Sequence, residues 1–140
     1  MSTVNPNLRR QHDYDTCPFW CFTRNHLDRQ GTDLDFFVEK DGRIIFVDEK
    51  ESETLSISAG QYLAYVHLAR ICGEEGEMWL AFKTSSGFIG YRIPPDVPRK
   101  GRWPTWPHKY QRYYTFKEVE ADFHNLSEEE YGTWLKELVA

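Results

Sequence analysis

The stretch "DLDFFVEKDGRIIFVDEKES", residues 33–52, has the pattern of a β-hairpin. Residues 34–39 and 43–50 alternate in polarity on either side of Asp41-Gly42, and a two-residue Asp-Gly link is typical of a type I′ turn. The second predicted strand is apolar through residues 44–47 and then ends in Asp48, Glu49 and Lys50. Three charges at the end of an apolar strand are either a solvated sheet edge or part of a functional site.

Strand geometry predicts which of these charges meet. Side chains at positions i and i+2 of a strand point the same way, so Asp48 and Lys50 share one face while Glu49 points to the other. Asp35 lies 13 positions before Asp48, on the partner strand of the hairpin. Asp35 and Asp48 are therefore predicted to hold one Mg²⁺, with Mn²⁺ as a substitute, because such hard cations take carboxylate oxygens and keep several waters. Lys50 is then placed to orient an attacking water or to stabilise charge on a phosphate.

The rest of the pattern predicts a single α/β domain over residues 1–140, with a core at about 18–95 and a helical tail at 115–140. "SAGQYLAYVHLARICG", residues 58–73, reads as a helix, and "EMWLAFKTS" and "GFIGYRIP", residues 77–85 and 87–94, read as strands. A further strand is expected at residues 19–23. Capping boxes predict the starts of the first helix and of two C-terminal helices: Ser58 with Gln61, Thr115 with Glu118, and Ser127 with Glu130.

Charge is distributed unevenly along the chain. The net charge is −5, but residues 97–116 contain no acid and carry +5, which leaves −10 on the remainder. A local field of one sign can bind phosphate whatever the net charge of the whole protein. The segment therefore predicts a DNA-binding surface, and its cations are Arg99, Lys100, Arg102, Lys109 and Arg112. Five aromatic residues alternate with them and either stack on bases or cover the core: Trp103, Trp106, Tyr110, Tyr113 and Tyr114.

The amino-terminal residues contain a possible metal cluster. Cys17 and Cys21, flanked by His12 and His26, could bind zinc, but their spacing is not the common two-residue knuckle, and buried thiols are the preferred interpretation. Three cysteines and no apolar signal segment argue against a disulfide framework. No apolar run approaches the roughly 20 residues that cross a bilayer. The sequence thus predicts a cytoplasmic protein without a membrane partner.

The order of aspartate, apolar strand and acid-x-lysine resembles the PD-(D/E)XK nuclease superfamily, here as Asp35, Asp48 and Lys50. Gln61 and Tyr65, in "GQYLAY", are similar to the Gln-x-x-x-Tyr element of RecB-type members, and the element order is similar to small Holliday junction resolvases. The resemblance covers about residues 30–95. It implies a restriction-endonuclease-like mixed sheet flanked by helices, with Asp35, Asp48, Lys50 and Gln61 as catalytic residues and Glu49 as a further metal ligand.

The sequence departs from the superfamily pattern in two places. The proline of the motif is absent, and "TDLD" stands in its place, so Asp33 is an alternative to Asp35. Asp35 is preferred because apolar residues follow it directly. No glutamate precedes Glu39 to supply an upstream acid, and that role falls to one of three aspartates: Asp13, Asp15 or Asp28.

The combined prediction is a Mg²⁺-dependent deoxyribonuclease, with a structure-selective endonuclease of the junction-resolvase kind favoured. A RecB-like exonuclease or single-strand nuclease is the alternative, and a non-catalytic nucleic-acid-binding or inhibitory protein on the same fold is a third. Resolvase action requires two sites, which predicts a homodimer. Two apolar surfaces are candidates for its interface: the stripe of Tyr131, Trp134, Leu135 and Leu138, and the helix Ala59–Cys72.

Overall fold

A computed structural model describes residues 34–97, 103–104 and 110–140, and Leu34–Ala140 forms one compact unit. Within these residues the elements follow one another as strands, two α-helices and one short 3-10 helix, Gly73–Glu75. The strands are β1 (Phe36–Lys40), β2 (Arg43–Glu51), β3 (Ser56–Ser58), β4 (Gly76–Thr84), β5 (Gly87–Ile93), β6 (Tyr113–Thr115) and β7 (Phe123–Leu126). The helices are α1 (Ala59–Cys72) and α2 (Glu128–Leu138).

The predicted hairpin is confirmed. β1 and β2 are antiparallel, and Lys40 pairs with Arg43 across Asp41 and Gly42. Both turn residues have positive φ, 51° and 84°, as a type I′ turn requires. The right-handed twist of the flanking strands favours this turn, and the turn in turn sets the register of the whole ladder.

Helix α1 connects β2 to a parallel neighbour. Ser58 caps it by accepting a hydrogen bond from the Gln61 N–H at 3.2 Å, and Gly73 ends it at φ 54°, so the predicted helix is confirmed. β2 and β4 pair in parallel, and β4 pairs antiparallel with β5. Parallel strands need such a crossover, and the result is a mixed five-stranded sheet in the order β1-β2-β4-β5-β7.

The first of the two predicted C-terminal helices is wrong. Thr115 ends β6, which pairs antiparallel with β3, and its hydroxyl donates to the Thr54 carbonyl at 3.2 Å. Phe116 is fully buried, and residues 123–126 form β7 at the edge of the main sheet. Strand pairing with distant segments thus satisfies the backbone that a local capping signal assigned to a helix. The α/β class is confirmed, with α2 as the C-terminal helix.

The main sheet has an apolar cluster on each side. On the α1 side, Tyr62, Tyr65 and Val66 pack with a large buried cluster to which β4, β5 and the β3–β6 pair contribute. On the other side Ile45, Val47 and Trp79 form the cluster that α2 covers through Trp134, Leu135 and Leu138. Both surfaces predicted as dimer interfaces therefore pack within the chain, because each side of the sheet needs a cover.

No helix in the described ranges is long and apolar enough to cross a membrane. The predicted strand at residues 19–23 lies outside the described residues, as does the predicted single-domain organisation of the first 33.

Gly90 tests the packing of β5 against β7. A Cβ at this position would overlap the ring of Phe123, its partner across the two strands. Gly90→Ala should therefore lower the free energy of unfolding by about 1–3 kcal/mol, measured by urea denaturation. Gly132→Ala is the matched control, because its Cβ meets nothing within 4 Å and α2 gains helix propensity of about 0.5–1 kcal/mol. Equal stability of the Gly90 variant and the wild type would contradict this packing.

Candidate active site

The two aspartates predicted as a pair lie side by side. Phe36 pairs with Val47, which places Asp35, just before β1, opposite Asp48 in β2. The Asp35 N–H donates to Asp48 Oδ1 at 3.3 Å. The Asp35 carboxylate accepts a hydrogen bond from the backbone N–H of Glu49 at 2.8 Å. Asp35 therefore closes the open end of the hairpin with its backbone and its side chain.

Asp48 is a buried carboxylate, 2% exposed, and the only charged side chain in the buried core of the described residues. Lys50 Nζ lies 3.2 Å from its Oδ2, which confirms that Asp48 and Lys50 share a face of β2. The Tyr65 hydroxyl, from α1, also donates to Oδ2. Tyr65 is both core and site, since it is buried and bonds the carboxylate directly.

Burial is the main reason that the pKa of Asp48 is raised above its usual value. Lys50 and the Tyr65 hydroxyl oppose this and lower the pKa, whereas the charge and the hydrogen bonding of Asp35 raise it further. Two adjacent carboxylates thus repel each other at this end of the sheet. A cation between them would relieve that repulsion.

Glu49 does not lie with Asp48. Its carboxylate is on the α2 side of the sheet, where Oε2 accepts a hydrogen bond from the Tyr131 hydroxyl at 2.7 Å. Strand alternation explains the separation, since neighbouring side chains point to opposite faces. The structure therefore separates Glu49 from the predicted metal ligands, and Tyr131 is the residue that sequence reasoning placed in a dimer interface instead. Only the Tyr131–Trp134 spacing signalled that this tyrosine faces inward.

Gln61 is in the first turn of α1, one turn before Tyr65. Residues at i and i+4 share a helix face, which aligns Gln61 with the tyrosine that reaches Asp48. Its backbone N–H binds Ser58 Oγ, as the capping interpretation predicted. A catalytic role for its side chain stays a prediction.

The basic segment is described only in part. Arg99, Lys100, Arg102 and Lys109 lie outside the described residues, as do Asp33 and the upstream aspartates. Arg112 is exposed, and its carbonyl accepts a hydrogen bond from the Ala59 N–H at 2.7 Å, which joins the segment to the start of α1. Tyr110 and Tyr113 are 75% and 68% exposed, whereas Tyr114 is buried. The structure thus divides the aromatic residues into two exposed tyrosines and a core tyrosine.

The donor set fits a hard divalent cation with few protein ligands. Two carboxylates converge beside an ammonium group, and Mg²⁺ commonly binds through one or two carboxylates with waters completing its shell. Among the described residues no group of three or more His, Cys, Asp or Glu side chains forms a metal site. The predicted zinc cluster of Cys17, Cys21, His12 and His26 lies outside those residues.

No protein-family model, no curated protein and no solved structure matches this chain, so the chemistry of the site rests on its own geometry.

Proposed function

We propose that the protein is a Mg²⁺-dependent deoxyribonuclease of the PD-(D/E)XK kind, which hydrolyses DNA phosphodiester bonds in the cytoplasm. The observation that carries the proposal is the convergence of Asp35, Asp48 and Lys50 at one end of the hairpin, with Tyr65 bonded to Asp48. The order hairpin, helix, parallel strand supports it, because β2 and β4 flank the crossover and the site lies at the carboxyl end of β2.

Each residue has a distinct role in this proposal. Asp35 and Asp48 hold Mg²⁺, which when bound supplies the positive charge that stabilises the transition state of phosphodiester hydrolysis. Lys50, whose side chain is 27% exposed, reaches from Asp48 toward solvent and hydrogen-bonds the attacking water or a phosphate oxygen. Tyr65 keeps the buried carboxylate of Asp48 oriented, and Gln61 adds a polar group on the same helix face.

A structure-selective endonuclease acting on branched DNA is the favoured subtype, and it requires two copies of the chain to cut two strands. Its interface is distinct from the two apolar surfaces that the core uses. The exposed Tyr110 and Tyr113 favour a second candidate, a single-strand nuclease or RecB-like exonuclease, because base stacking on aromatic side chains is the common means of holding unpaired strands.

Asp48 and Lys50 are the direct test of the catalytic assignment. Asp48→Asn and Lys50→Ala should each lower cleavage of labelled junction, duplex or single-stranded DNA by at least about 100-fold, because each removes a charge from the proposed site. DNA affinity measured without divalent cations should stay near that of the wild type. Glu53→Gln, an exposed carboxylate that binds Ser85, is the matched control for loss of one acid. Cleavage by Asp48→Asn at the wild-type rate would refute the assignment, and a wild-type protein that binds DNA without cutting it would favour the non-catalytic alternative.

The salt dependence of binding tests the basic segment. Each cation that contacts a phosphate contributes about one unit to the slope of log affinity against log salt concentration, so Arg112→Ala should reduce the slope by about 1. The triple change of Arg99, Arg102 and Arg112 to Ala should reduce it by up to about 3. Lys136→Ala, on exposed α2, is the control. An unchanged slope in the triple variant would assign the segment a structural role.

Tyr113 distinguishes the two subtypes. If its ring stacks on unpaired bases, Tyr113→Ala should weaken single-strand binding by about 1–3 kcal/mol, whereas Tyr113→Phe keeps the ring and should bind like the wild type. Fluorescence anisotropy with single-stranded and duplex oligonucleotides measures both. Equal losses on the two substrates, or none, would remove the support for the single-strand candidate.

A further inference from the structure

A chain of hydrogen bonds joins the C-terminal helix to the end of the hairpin. The Tyr131 hydroxyl, in α2, donates to Glu49 Oε2 at 2.7 Å. The backbone N–H of Glu49 donates to Asp35 Oδ2 at 2.8 Å. Glu49 thus receives a hydrogen bond through its side chain on one face of the sheet and gives one through its backbone at the sheet edge.

The core sets the position of the Tyr131 hydroxyl. The residue is 4% exposed, and its ring stacks on Phe88 with a centroid distance of 4.1 Å and an angle of 7°. Trp134 stacks on it at 5.7 Å. Burial, followed by the Glu49 carboxylate, raises the pKa of Tyr131, so its hydroxyl remains a donor at neutral pH. A ring confined in this way presents its hydroxyl at one place.

Asp35 depends on such support. It precedes β1, so no strand ladder holds it, and its side chain is exposed. Its two contacts at the hairpin end are its own N–H on Asp48 and the Glu49 N–H on its carboxylate. A carboxylate that serves as a cation ligand must be oriented by hydrogen bonds from the surrounding protein. The Glu49 peptide provides one, and its position depends on where its side chain is anchored.

We propose that Tyr131 is a positioning residue for Asp35, acting through Glu49, so that α2 forms part of the cation site. The inference rests on the proposed function, because it takes Asp35 to be a ligand. It changes the role of Glu49 from ligand to link between the helix and the ligand. Removal of the Tyr131 hydroxyl then frees the Glu49 side chain and loosens the peptide that orients Asp35.

Cation binding without DNA is the direct measurement. Tyr131→Phe keeps the ring in the core and removes only the donor. It should weaken Mn²⁺ binding, measured by isothermal titration calorimetry, by about tenfold. Tyr91→Phe is the matched control, because it also removes a buried tyrosine hydroxyl that donates to a backbone carbonyl, Phe116 O at 3.2 Å, away from the site. Its Mn²⁺ affinity should equal that of the wild type.

Two changes of Glu49 separate a link from a ligand. Glu49→Gln keeps an oxygen that accepts from Tyr131 and should bind Mn²⁺ within a factor of about three of the wild type. Glu49→Ala should behave like Tyr131→Phe, and combining the two should cost no more than either alone. Wild-type affinity in Tyr131→Phe, or an equal loss in Tyr91→Phe, would overturn the positioning role while leaving the proposed nuclease standing. A loss in Glu49→Gln as large as in Glu49→Ala would overturn it by making the carboxylate a ligand. Failure of the wild type to bind Mn²⁺ would remove the cation site and this inference together.

Discussion

The buried carboxylate of Asp48 is the constraint on which the site depends. An ionised carboxylate in an apolar environment is unfavourable by several kcal/mol unless it is paired and hydrogen-bonded. Asp48 meets this requirement with three partners from three parts of the chain: Lys50 in its own strand, Tyr65 in α1, and the backbone of Asp35 before β1. Satisfying one charge therefore brings the hairpin end, the crossover helix and the strand end into a single arrangement.

Alternation along β2 divides the work of neighbouring residues between the two faces of the sheet. Asp48 and Lys50 face α1, where the polar contacts accumulate, and Glu49 faces α2, where it meets Tyr131. The same alternation places Val47 among the apolar residues under α2 and Phe46 among those under α1. One strand thus couples both layers of the fold, and a shift of one residue in the hairpin register would exchange the two sets.

The distribution of exposed groups gives the surface near α1 a character different from the rest of this acidic chain. Arg112, Tyr110 and Tyr113 are exposed beside the start of the helix whose next turns carry Gln61 and Tyr65. The backbone bond from Ala59 to Arg112 attaches this surface to the element that bears the site. Strands β3 and β6 make the attachment rigid, since their pairing holds residues 113–115 against residues 56–58.

Local signals in the sequence determined the hairpin, helix α1, the β4–β5 pair and helix α2, because turn chemistry, caps and the alternation of apolar residues act within a few positions. They also determined that Asp35, Asp48 and Lys50 meet, since hairpin register follows from the turn. Only the tertiary structure decided that Thr115 belongs to a strand, because the pairing of β6 with β3 joins segments about 60 residues apart and outweighs a local cap. It likewise decided that Tyr131 covers the sheet and binds Glu49 rather than a second copy of the chain. An apolar helical stripe specifies that a surface must be buried, and the partner that buries it is selected by the packing of the whole domain.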